Sequence, residues 1–233
     1  MRFEFRRFLF LASAVISFTS SASADLLFDN STTDLLYRFN PGTREVGDQI
    51  QLASAGALTT FAFEFYGTNS LSPGNLAFSG AVEARVAIYL MDGPLFNGEN
   101  TPGSPLYVSS WSTIPGPTIR NTFVYQAGQD FPAGGLLIPS TNITWSVQFR
   151  GMGPTDEVGV DIYSTPTVGK DYADYWQYDP SLGGGVGGWL LETNVVPVDF
   201  AARFQGTIPE PSIISLAVVG GAVMLIAGRR RKA

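Results

Sequence analysis

Four aromatic side chains within seven positions, Tyr172, Tyr175, Trp176 and Tyr178, make the densest candidate for recognition chemistry in the chain. Aromatic faces stack on the apolar faces of sugar rings, and Asp171, Asp174 and Gln177 beside them could take hydroxyl hydrogen bonds. The opposing expectation is that Trp176 and a tyrosine fold back over an open end of the core, since large aromatics are heavily buried on average. Calcium is a second chemistry. Asp48, Asp92 and Asp161 are its candidate ligands, with Asp156 and Glu157 nearby, because hard oxygen donors suit that ion. No D-x-[DN]-x-[DN]-G loop occurs, so any such site is assembled from separate loops, or these are solvated turn acids. A glycosidase needs only two carboxylates flanking a bond, yet nothing in the sequence selects one pair over the rest.

Histidine and cysteine are both absent from the 233 residues. That removes Ser-His-Asp triads, imidazole and thiolate metal sites and iron–sulfur clusters. The expectation is a protein that is not an enzyme and needs no cofactor, calcium being the exception left open. Lys170 is the single lysine between residues 25 and 208, and its neighbours Gly169 and Asp171 suggest an exposed turn rather than a Ser–Lys dyad. Gly183–Gly188 lacks the lysine of a phosphate cradle and reads as a flexible loop. Residues 25–208 carry seven basic against eighteen acidic side chains, net −11. A surface of that sign repels phosphate backbones, so no nucleic-acid partner is expected.

The elements that must position these residues are strands. Phe61, Phe63 and Phe65 alternate with Thr60, Ala62, Glu64 and Tyr66; Ile143, Trp145, Val147 and Phe149 alternate with polar residues; so do Ala84–Leu90 and Val198–Phe204. Eight weaker candidates are 26–28, 35–39, 49–52, 106–111, 122–125, 136–138, 158–163 and 189–192. Turn-forming pieces such as Asn40-Pro41-Gly42 and Asp92-Gly93-Pro94 separate them. Twelve short strands predict an all-β fold, one antiparallel two-sheet sandwich, jelly-roll-like, over residues 25–208. Residues 168–190 read as a long aromatic and acidic loop returning into a strand at Trp189.

Both termini read as addresses. Arg2, Arg6 and Arg7 precede an apolar run from Phe8 to about Phe18, and Ala22-Ser23-Ala24 supplies a small-x-small cleavage site. Residues 1–24 are therefore predicted to be a signal peptide cut at Ala24; an uncleaved anchor is disfavoured because the apolar run is too short to span a bilayer. At the other end, Pro209-Glu210-Pro211 is followed by an apolar stretch over 212–228 and by Arg229-Arg230-Arg231-Lys232. Seventeen residues rise about 25 Å as a helix, within the spanning range for one transmembrane helix. The basic cluster, residues 229–232, is expected to stay cytoplasmic, leaving the domain outside the inner membrane.

This order of elements resembles the PEP-CTERM sorting tail of Gram-negative bacteria, carried by Pro209, Glu210, Pro211, the apolar span with Gly220-Gly221, and Arg229, Arg230 and Arg231. The resemblance implies that a membrane-embedded exosortase removes the tail near the Pro-Glu-Pro. The protein would be held transiently in the inner membrane and then pass to the cell surface or the exopolysaccharide matrix. An ordinary single-span anchor is the alternative. The central region is similar, more loosely, to PEP-CTERM ectodomains of unassigned role through Val46-Gly47-Asp48, Tyr89–Pro94, Tyr172–Trp176 and Asp199–Arg203. What these features imply together is an exported, non-enzymatic surface or matrix protein with extracellular polysaccharide as its partner. A specific carbohydrate-binding module and a calcium-dependent adhesin remain the alternatives.

Overall fold

A computed structural model describes residues 25–71, 77–182, 187–193 and 198–208. The expected cleavage residues Ala22 and Ala24, the sorting residues Pro209–Pro211 and Arg229–Arg231, and the apolar span 212–228 all lie outside the described residues. Among the described residues no helix is long and apolar enough to cross a membrane.

The fold is all-β, with two large antiparallel sheets packed as a sandwich. In chain order the strands are β1 (Asp25–Asn30), β2 (Asp34–Phe39), β3 (Val46–Gln51), β4 (Gly56–Asn69), β5 (Glu83–Leu90), β6 (Leu95–Phe96), β7 (Glu99–Asn100), β8 (Pro105–Val108) and β9 (Ser112–Thr113). They continue with β10 (Thr118–Gln126), β11 (Leu136–Ile138), β12 (Asn142–Arg150), β13 (Asp156–Tyr163), β14 (Lys170–Asp171), β15 (Asp174–Asp179), β16 (Gly188–Thr193) and β17 (Ala202–Thr207).

The first sheet runs β1-β17-β4-β13-β2 and is organised on the fourteen-residue β4. β10 and β17 both pair with Thr60–Phe63, so they occupy opposite edges of β4. β11 extends the β10 edge, and β13 follows β17 along the other. The second sheet runs β16-β15-β3-β12-β5-β8, with short β14 and β9 attached to β3 and β5.

The period-two pattern places Phe61, Phe63 and Phe65 inward, all buried, across from Trp145 of the facing sheet. Phe61 and Phe63 lie 5.4 and 5.7 Å from its ring, and Phe200 packs on it at 5.9 Å. Each such ring, fully buried, contributes about 1.5–3 kcal/mol relative to leaving it in water. Each of the twelve expected strands overlaps an observed one, although 198–201 precede β17 and 109–111 follow β8, and the expected loop over 168–190 is the exception. That segment contains β14, all of β15 and the start of β16, and β15 sits inside the second sheet between β16 and β3. Its alternation is hidden because both of its faces are covered.

Candidate functional site

β15 separates the aromatic quartet instead of presenting it. Tyr175 points into the sandwich, 5.0 Å from Phe39 and 6.2 Å from Phe200. Trp176 points the other way and is also fully buried. Its indole N–H donates to Gln49 Oε1 at 3.1 Å, and Phe96 of the β6–β7 hairpin packs on it. Tyr178 lies on the same outer face, edge-on to Trp189 at 5.4 Å. Tyr172 is the one member substantially exposed. Hence no continuous stacking platform forms from these four residues, because successive strand residues alternate faces. A groove of about 400 Å³ does open beside Tyr178, between Trp189, Leu182 and the Pro94–Phe96 turn.

The three expected calcium ligands are likewise apart. Asp92 caps a surface turn, accepting from Ser104 N at 2.6 Å, which holds its carboxyl below the ordinary range. Asp161 is buried on the outer face of the first sheet, where Arg38 Nε approaches it at 2.9 Å. Burial pushes its carboxyl up to about 7, against the pull of Arg38. Asp48 lies between Val46 and Ile50 on the inward side of β3, fully buried. Asp156, by contrast, ties a turn together by accepting from Ser79 N and Gly80 N at 2.8 Å and Gly153 N at 2.9 Å. Among the described residues no three carboxylates are grouped so that they could hold a metal ion. Lys170 is exposed on β14.

Asp48 has a partner that sequence reasoning did not join to it. β14 brings Asp171 opposite Ile50, onto the face that carries Asp48, and each carboxyl acts on the other's titration. Asp48 Oδ2 accepts from Phe200 N at 2.8 Å, while Oδ1 is buried with no hydrogen-bond partner. Asn30 Nδ2 reaches Asp171 Oδ2 at 3.4 Å and Phe200 O at 3.3 Å. Burial raises both carboxyls, Asp171 to about 8, and Asp199 close by is raised to about 6 for the same reason. No arginine or lysine contributes to any of the three. Two neighbouring carboxyls of this kind, Asp48 fully buried and Asp171 part-buried, favour keeping a proton between them.

The accessible polar site is elsewhere, on the outer face of the first sheet. A groove of about 350 Å³ has Thr60, Ala62 and Glu64 of β4 as its floor. Thr122 and Val124 of β10 form one wall, and Arg203 and Gln205 of β17 the other. The register makes this a grid: Val124, Ala62 and Arg203 stand in one row, with Thr60 beside Gln205 and Glu64 beside Thr122 in the flanking rows. Ala62 and Ala201 are small where neighbours are long, and that difference makes the hollow.

A polar network closes one end of the groove. Glu64 accepts from the Tyr163 hydroxyl and pairs with Arg120 Nε at 3.4 Å. Arg120 Nη1 also donates to Tyr163 at 2.9 Å, and Arg38 grips Asp34 through two nitrogens at 2.9 and 3.0 Å. The rest of the groove is unengaged. Thr60, Thr122, Arg203 and Gln205 make no side-chain hydrogen bond or ion pair among the described residues. Every other described arginine has a partner: Arg38 with Asp34, Arg44 with Gln177, Arg85 with Gln148, Arg120 with Glu64 and Arg150 with Glu83. Strand alternation assigned these residues to solvent, but nothing in their types distinguished a groove from a flat face. The alanines at 62 and 201 were the available signal. The chain matches no protein family, no curated protein and no solved structure.

Proposed function

We propose that this is an exported, non-enzymatic protein of the cell surface or extracellular matrix, a jelly-roll-like sandwich processed by an exosortase and associated with exopolysaccharide. In this reading residues 1–24 direct export, residues 212–228 hold the chain transiently in the inner membrane, and the tail is cut near Pro209-Glu210-Pro211. The carrying observation is the order of elements at the two ends, a basic start with an apolar run and Ala22-Ser23-Ala24, then Pro209-Glu210-Pro211 with an apolar span and Arg229–Lys232. β1 (Asp25–Asn30) and β17 (Ala202–Thr207) are the first and last of the described strands. These outermost strands pair with each other, Asp25 opposite Gly206, so each expected cut falls beside the same end of one sheet.

The non-enzymatic part of the reading is supported by composition. Histidine and cysteine are absent from the sequence, so the usual proton shuttle and activated nucleophiles are missing. Intact mass of the protein recovered from the producing cells tests the route. The expected mature species begins at Asp25 and lacks the basic C-terminal cluster. Full-length chain accumulating in the cytosol would overturn it.

A further inference from the structure

We propose that the groove between β10 and β17 is a binding site for a carboxylated sugar unit, such as a uronate residue within an acidic polysaccharide. Arg203 takes the carboxylate, while Thr60, Thr122 and Gln205 bond the ring hydroxyls. The inference rests on the matrix reading above and narrows it to one class of glycan and one face of the molecule.

Arg203 carries the argument. In a domain with eighteen acidic side chains against seven basic ones, an arginine normally finds a carboxylate, and five of the six described arginines have a polar partner. Arg203 has none, although Asp29 stands opposite it on β1. The Asp29 carboxylate is buried and turned to Ser31, whose hydroxyl donates to Oδ1 at 2.6 Å. Glu64, the other acid of the groove, is engaged by Tyr163 and Arg120. The guanidinium fork is thus left exposed beside a hollow of ligand size. That fork matches a planar carboxylate through two parallel N–H donors.

The rest of the lining suits a sugar bound edge-on. Two threonine hydroxyls and a carboxamide offer donors and acceptors together, and adjacent strands hold them about 4.8 Å apart across the sheet. Ala62 and Val124 supply a small apolar surface for ring C–H groups. No aromatic ring is needed, consistent with the burial of Tyr175 and Trp176 elsewhere. The acidic remainder of the domain repels a polyanion at long range. At physiological salt that field is screened over about 8 Å, leaving the local contact with Arg203 to decide.

The test uses the full-length chain in detergent, so that it does not depend on processing, with oligogalacturonate, neutral dextran oligosaccharide and acetate titrated by calorimetry. Oligogalacturonate is expected to bind at least tenfold more tightly than dextran of equal length, and to weaken as salt is raised. Arg203→Gln is expected to lose at least tenfold in that affinity, with an unchanged melting temperature because the side chain is exposed and unpaired. Arg203→Lys should fall between, since it keeps the charge and loses the fork. Val124→Glu on the opposite wall, also exposed, should weaken binding as well. Equal affinity for dextran, full binding by Arg203→Gln, acetate competing as well as the oligosaccharide, or no binding of oligogalacturonate would each overturn the site. None of these would touch the export reading, which the intact-mass measurement decides separately.

Discussion

Replacing Asp48 by Asn should flatten the dependence of stability on pH. In the native protein burial raises both the Asp48 and Asp171 carboxyls, Asp171 to about 8, so the pair keeps a proton into the neutral range. In the unfolded chain an aspartate titrates near 3.9, so at about pH 5–7 both are ionised and folding takes protons up. When the native state binds more protons than the unfolded state, stability falls as pH rises. The fall begins above about pH 4 and levels off once the folded value is passed. Each proton taken up costs about 1.36 kcal/mol per pH unit in this window. In Asp48→Asn the amide oxygen still accepts from Phe200 N and the amide nitrogen donates to Asp171, which can then ionise with a partner. At least one proton is no longer required. Between pH 5 and 7 the wild-type protein should therefore lose about 2.7 kcal/mol that the variant keeps, or about 5–10 °C in melting temperature for a domain of this size. Asp161 also has a raised value but acts on neither carboxyl and is present in both proteins, so it cancels in the difference, whereas Asp199 and Asp174 act on Asp171 and hold down part of its ionisation in the variant. Thermal unfolding followed by far-ultraviolet circular dichroism at pH 5, 6 and 7 reads the comparison. Parallel profiles for the two proteins, or a steeper one for the variant, would refute the retained proton.

Two shorter predictions concern local structure. Leu36 is 79 % exposed with φ of 61°, held by donating to Asp34 Oδ1 at 2.7 Å in a bulge of β2; Leu36→Gly should raise stability by about 0.5–1 kcal/mol in chemical denaturation, since a branched chain is strained there. Trp176→Ala should destabilise the fold by about 3–5 kcal/mol, while Tyr172→Ala on the exposed end of the same segment should change it by less than about 0.5 kcal/mol; equal effects in a urea titration would contradict the placement of β15.

The strands were legible where one face is wet. Phe61, Phe63 and Phe65 against Thr60, Ala62 and Glu64 is a pattern only a half-buried strand produces, and β4 is where it appears. β15 escaped that test. Tyr175 enters the core and Trp176 lies beneath the β6–β7 hairpin, so a buried residue follows a buried residue and the alternation vanishes. Acidic neighbours and a following glycine run then made the segment look like a loop. Asp48 was noticed as an acid near a strand end, but its partner Asp171 is 123 positions away in the chain and meets it only through the pairing of β14 with β3. No local pattern reports a contact of that separation.

The groove was hidden for a different reason: its residues are what any outward strand face contains. Its meaning comes from which faces remain open. On the second sheet the outward side is occupied, because Phe96 packs on Trp176 and Trp189 packs between Tyr89 and Tyr178. On the first sheet, Thr60, Arg203 and Gln205 keep free hydrogen-bonding groups along β4 and β17. This is also the sheet in which Asp25 pairs with Gly206, and Gln205 is the next residue inward from that pair. The groove therefore starts four residues before Pro209 and runs along β17 away from the expected C-terminal junction. A site so placed is joined to both expected cuts by a single hydrogen-bonded strand pair, so a ligand seated on Arg203 and Gln205 bridges the closing strand to β4 and β10. Occupancy should in consequence protect the amides of β17 from hydrogen exchange, and protection confined to β15 and β16 would place the ligand at the Tyr178–Trp189 groove instead.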